Sequence, residues 1–153
     1  MAIIYQSKGN GFLLFLALIC TTMIRAQQIQ YINSETHNER DYPFSEATVV
    51  NDIVYLSGQI GTDENDRLVS GGIAAETQQA LKNIENVLIR MGLSKAYIFK
   101  CTCMLENIGD WPAMSKAYKS FFAPNKLPAR SAFAGSGLAL GAKVEIECMA
   151  SMH

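Results

Sequence analysis

Arg130 is the residue whose type and setting most directly offer chemistry. It stands in LPARSAF, just after Pro128-Ala129 and just ahead of a predicted strand, so its guanidinium sits at the mouth of a sheet on a proline-braced backbone. A planar fork of N–H donors so placed matches a carboxylate bidentately. Most arginines are solvated surface charges, and this setting is what sets Arg130 apart.

Other reactive residue types are weaker on spacing alone. In the last predicted strand Lys143, Glu145 and Glu147 alternate with Val144, Ile146 and Cys148, which reads first as a charged, solvated face. Cys101 and Cys103 share one face of a strand, but without a CxxC pair they read as packing rather than a zinc site, so no metal is expected. There is no GxxxxGK[ST] loop, and Gly135-Ser-Gly137 continues into Leu-Ala-Leu-Gly, missing the GxGxxG spacing. Ser57 and Ser136 lack a GxSxG elbow, and the two histidines, His37 and His153, lie near opposite ends, so no hydrolytic triad is indicated.

The elements that must position these side chains follow from periodicity. Ala47 to Val50 and Ile53 to Ser57 flank Asn51-Asp52 and predict a hairpin, and the chain reverses again at Asp63 to Arg67. Thr77, Leu81, Ile84, Leu88 and Met91 recur at helical spacing after Gly71-Gly72, and Gly92 closes that helix. Ile98 to Leu105 predicts a buried strand, and Asp110 an N-cap for a second helix, Trp111 to Phe122, with Pro112 in its first turn. Trp111 itself reads as core or interface packing. Strands over Ser131 to Ala134 and Ala142 to Met149 complete a ββαβαββ order, with a further strand near Gln28 to Asn33. The fold class is α+β, a sheet with both helices on one face.

The 153 residues, 49% hydrophobic and 18% charged, suit a single core. The first 26 read as a signal peptide, with Lys8 ahead of an apolar run from Phe12 to Cys20 that is too short to span a bilayer, and Ala26 as its last residue. Residues 27–153 then form one domain, secreted or periplasmic and free of the membrane, the alternative being a chain tethered by an uncleaved N-terminus. Removing the leader leaves 11 Lys and Arg against 14 Asp and Glu, a net charge of −3, which disfavours nucleic acid. Cys101, Cys103 and Cys148 remain; an odd number is no disulfide framework, though two could pair.

The segments PFSEATVVNDIVYLSGQIG, GGIAAETQQALKNIENVL, FKCTCMLENIGDW, AYKSFF and LPARSAFAGSGLALGAKVEIECMA, in that order, strongly resemble the RidA (YjgF) family of reactive intermediate imine deaminases. The resemblance covers about Pro43 to Met149, and PARS and VEIE are its specific parts. It implies a chorismate-mutase-like fold and a homotrimer with sites in the clefts between subunits.

It also implies roles. Arg130 holds the carboxylate of a 2-imino acid, and Glu145, the first acid of VEIE, positions water. Ser57 and Gly58 line the cleft; Phe44 stands where many deaminating members have tyrosine, Ala132 where they have cysteine, and Ser115 where they have asparagine. The expected reaction is hydrolysis of 2-iminobutanoate or 2-iminopropanoate to a 2-keto acid and ammonia, with no cofactor. The alternatives are a non-catalytic carboxylate-binding or chaperone-like trimer and, against the acidic charge and the lack of a histidine pair, an endoribonuclease or translation inhibitor.

Overall fold

The computed structural model describes residues 28–124 and 126–153. The expected signal peptide, residues 1–26, lies outside them. Six strands form one sheet: β1 (Gln30–Ile32), β2 (Ala47–Val50), β3 (Ile53–Ile60), β4 (Ile98–Leu105), β5 (Ala129–Ala134) and β6 (Val144–Ser151). Their spatial order is β1-β2-β3-β6-β4-β5, antiparallel except for the parallel pair of β4 with the edge strand β5. Two long helices, α2 (Gly72–Arg90) and α3 (Trp111–Phe121), pack on one face, and a short helix α1 (Glu35–Glu39) follows β1.

Local chemistry explains the framework. The β2–β3 hairpin turns on Asn51 and Asp52 at φ 49° and 64°, the left-handed pair that matches the twist of the flanking strands. α2 buries Thr77, Ala80, Leu81, Ile84, Val87 and Leu88, each large apolar side chain contributing about 1.5–3 kcal/mol of transfer free energy. Gly92 ends it at φ 76°: its N–H bonds the Ile89 carbonyl and that of Leu93 bonds the Leu88 carbonyl, satisfying the last turn. Buried Glu76 accepts from the Lys143 N–H at 2.7 Å, tying α2 to the start of β6.

The core lies between the helices and the sheet. Val144, Ile146, Cys148 and Ala150 of β6 face it, beside Cys101, Cys103 and Leu105 of β4. Cys101 and Cys148, direct cross-strand partners, form a disulfide between buried positions with Cα atoms 4.1 Å apart, and Cys103 remains a buried free thiol.

The structure amends several predicted boundaries. β3 runs on to Ile60, β5 starts at Ala129 rather than Ser131, and β6 starts at Val144 after a 3-10 turn, Ala139–Gly141. Arg130 is therefore inside a strand, not ahead of one. Asp110 occupies the N-cap position of α3 without a side-chain cap bond, because a 3-10 turn, Ile108–Asp110, capped by Asn107, leads straight into the helix. α1 was not predicted; its five polar residues, ETHNE, carry no apolar period, and it is held by the Ser34 cap and by burial of His37.

Candidate active site

Arg130 is the second residue of β5, half-buried, and its surroundings are built by one stripe of α3. Trp111, Met114, Ser115 and Tyr118, spaced three or four apart, come to one side of the helix. Ser115 Oγ accepts a hydrogen bond from Arg130 at 3.0 Å, and the Met114 sulfur lies 3.7 Å from another guanidinium nitrogen. The guanidinium carbon stands 4.9 Å from the Tyr118 ring centre and 5.4 Å from that of Trp111. Cation–π attraction and a hydroxyl thus orient the fork, and among the described residues no carboxylate pairs with it. Trp111 is correspondingly not core: it is 44% exposed and packs on Arg130.

Electrostatics around the fork are governed by burial. Desolvation pushes the Cys103 thiol up to about 11, opposed by the nearby Arg130 charge. Burial likewise raises Tyr118 well above its ordinary value, with Cys103 adding to the rise and Arg130 opposing it. Both groups are neutral at physiological pH. The buried Tyr118 hydroxyl has no hydrogen-bond partner among the described residues.

Glu145 sits elsewhere. Arg130 is the Cα partner of Cys101, itself partner to Cys148, and residues in one row share a face, so Arg130 projects to the helix side. Glu145 alternates with Val144 and Ile146 and so projects to the open side, in a row with Ile60, Met104 and Phe133. A bulge in the β3–β6 pairing between Leu56 and Gln59 brings Gly58 against its carboxylate: a Cβ on Gly58 would lie 2.0 Å from Glu145 Oε1. The glycine leaves room for the Glu145 carboxylate to lie against the backbone, and no special φ is involved.

Ser57 and Phe44 belong with Glu145. Ser57 Oγ donates to the Ser45 carbonyl at 2.6 Å, and its N–H to the Glu46 carbonyl at 3.0 Å. With Phe44 and Glu147 it lines an open hollow of about 650 Å³. Ala132 follows Arg130 on β5, opposite Cys103. The seven expected residues therefore fall into two sets within one chain: Arg130, Ser115 and Ala132 at the β5 edge, and Phe44, Ser57, Gly58 and Glu145 around the open face.

The family model described as "Endoribonuclease L-PSP" matches residues 36–152. The chain is 40% identical over 109 residues, 71% of its length and 79% of the relative's, to the human protein named "2-iminobutanoate/2-iminopropanoate deaminase", and 40% identical over 108 residues to the rat protein of that name, covering 70% of this chain and 78% of the relative. It also superposes on a Yersinia pestis protein of the conserved Rid family with a TM-score of 0.74 and 35% identity, covering 81% of this chain and 99% of that one.

The chain belongs to the RidA/YjgF family. Membership of the RidA/YjgF family accords with the six-stranded α+β architecture. Within this RidA/YjgF member, sequence reasoning named Phe44 but missed Met114, Tyr118 and the three tyrosines of the hollow, Tyr31, Tyr42 and Tyr55. The signal for the first two was present, since positions 111, 114, 115 and 118 make a helical stripe, but such a stripe reads equally as core.

Proposed function

We propose that this chain is a hydrolytic deaminase of small 2-imino and enamine acids, converting 2-iminobutanoate and 2-iminopropanoate to 2-keto acids and ammonia at sites shared between subunits of a homotrimer. The carrying observation is Arg130: a half-buried guanidinium, oriented by Ser115, Trp111 and Tyr118, with no carboxylate partner among the described residues. A fork preorganised and left without an anion is suited to one from outside. The names of the relatives, whose substrates are imino carboxylates, support the same reading.

Arg130 binds the substrate carboxylate and Glu145 addresses the imine carbon. A water held by Glu145 adds to the C=N carbon as its proton passes to the carboxylate. The carboxylate returns this proton to nitrogen, and the C–N bond then breaks as the hydroxyl forms the C=O bond and gives up its own proton to the departing nitrogen, leaving the keto acid and ammonia. Ser57 and Gly58 shape the cleft, Ala132 offers it the backbone N–H of an edge strand, and Phe44 supplies an apolar wall. Since Arg130 and Glu145 project to opposite faces of one sheet, a single chain cannot apply both to one small ligand, and this supports a site completed by a second subunit.

The Cys101–Cys148 disulfide is of a kind that persists in oxidising compartments, and it supports export of the domain 27–153 after loss of residues 1–26. The acidic charge supports a reading without nucleic-acid binding.

The test is keto acid formation from 2-iminobutanoate generated in situ. Wild type accelerates it and Arg130→Ala does not; equal rates for the two would remove the proposal. Phe44, which lacks a hydroxyl, favours one second reading, a carboxylate-binding trimer without turnover, and calorimetric binding of 2-ketobutyrate by a protein with no deaminase activity would select it.

A further inference from the structure

The hollow beside Ser57 is walled by more aromatic surface than a four-carbon imino acid can use. Tyr31, Tyr42, Phe44 and Tyr55 border it and are 69%, 39%, 50% and 41% exposed. Two of these rings form a fixed flat wall: Tyr42 and Phe44 stack with centroids 5.4 Å apart and planes within 13°.

Four contacts hold that wall in place. The His37 ring lies behind both, 5.1 Å from Tyr42 and 5.4 Å from Phe44, and its Nε2–H donates to the Phe44 carbonyl at 2.6 Å. The Tyr42 hydroxyl donates to Asp66 Oδ2 at 3.2 Å, and Asp66 in turn pairs with Arg40 at 2.6 Å. Ordering these rings on binding therefore costs little, because the fold has already ordered them. Tyr31 and Tyr55, with Thr48 between them, sit in one row of the sheet and make the floor. Ser57 joins this surface to Gly58 and so to Glu145.

We propose that the hollow is the substrate side-chain pocket and that it selects 2-imino acids with an aromatic side chain. This rests on the deaminase reading and narrows its substrate class. A planar ring offered to a planar wall stacks in the offset or edge-on geometries that aromatic pairs favour, whereas the ethyl group of 2-iminobutanoate leaves most of the wall wet. The volume, about 650 Å³, is that of a pocket for ligands well above four carbons. Tyr31, Tyr42, Phe44 and Tyr55 are specificity-determining rather than catalytic, since none carries the chemistry assigned to Glu145 and Arg130.

The test compares two probes, the imines of phenylalanine and of 2-aminobutyrate, each produced in situ by an amino-acid oxidase with catalase present. The readout is the ratio of their kcat/KM values, measured on wild type and on Tyr31→Ala and Tyr42→Ala, with thermal melts to confirm folding. The phenylalanine imine is preferred by at least about tenfold in wild type, as stacking of its ring on the aromatic wall permits, and the ratio falls towards one in both variants. Because the wild-type ratio needs no variant, misfolding of either cannot hide the answer. Turnover of 2-iminobutanoate with no preference for the aromatic imine overturns the pocket assignment and leaves the deaminase reading standing. A preference that survives both substitutions overturns it as well. No turnover of either probe removes both.

Discussion

Arg130 and Glu145 occupy opposite faces of the same sheet, on β5 and β6 with β4 between them. Two strand spacings separate them laterally by roughly 10 Å, before the thickness of the sheet is added. A ligand of four or five carbons does not bridge that gap through the core, so the proposed anchor and the proposed water-positioning acid act together only when they come from different subunits. The proposed function thereby makes quaternary structure part of the mechanism rather than an accessory to it.

The anchor is expected to depend on shape as well as charge. Arg130→Lys retains the cation but loses the fork, and kcat/KM falls about tenfold or more, while Arg130→Ala loses about 100-fold. Ser115 only orients the fork, so Ser115→Ala raises KM by about 2–10-fold with kcat little changed. Steady-state kinetics on the three variants checks the order; a Ser115→Ala effect confined to kcat would contradict it.

Gly58→Ala is a sharper probe of Glu145 than it looks. The added methyl would stand 2.0 Å from Oε1, so the carboxylate must swing away, and a displacement of that size costs about 100-fold in kcat. Binding of a keto-acid product, which depends on Arg130, should survive. Calorimetry with 2-ketobutyrate separates the two effects.

The sulfurs give a prediction on stability and accessibility. Reducing Cys101–Cys148, whose residues are 47 apart in sequence, costs roughly 2–4 kcal/mol and lowers Tm by about 10 °C. Cys103 is pushed up to about 11 from 9.0 by burial, so the folded chain keeps its proton while the unfolded chain releases it. The stability tied to this group is complete below pH 9 and is lost as pH rises towards 11. Thiol titration of the chain from residue 27 should therefore find none in the native protein at pH 8, one in denaturant and three after reduction.

Tyr118 serves Arg130 with its ring and not with its hydroxyl, which is buried without a partner among the described residues. Tyr118→Phe removes a stranded polar atom and is expected to stabilise the fold by roughly 1 kcal/mol or leave it unchanged, with activity kept. Tyr118→Leu removes the ring face and raises KM. A fall in Tm for Tyr118→Phe would show that the hydroxyl does find a partner.

The sequence was most legible where a local rule acts alone. The Asn51-Asp52 turn, the α2 period with its Gly92 stop, and the span of β4 follow from φ preference and side-chain spacing, and the structure places them as read. Boundaries failed where tertiary pairing decides: Ala129 and Arg130 join a strand because β4 offers a parallel edge to them, which no residue in LPARS signals. The two-sided placement of Arg130 and Glu145 was equally hidden, since which face a strand residue takes depends on register with strands distant in sequence. The aromatic hollow gathers Tyr31, Tyr42, Phe44 and Tyr55 from β1, the α1–β2 loop and β3, and only the folded sheet brings them together.

Subunit complementation tests the shared site most directly. Arg130→Ala and Glu145→Gln variants, each inactive alone, are co-expressed in equal amounts with different tags, and doubly tagged assemblies are purified and assayed. If every site takes one residue from each of two neighbours, each doubly tagged trimer holds one intact site in three, so about a third of wild-type sites are restored. Recovery near that level is the predicted result. Doubly tagged oligomers with no activity, or a wild-type protein that is monomeric and fully active, would contradict it.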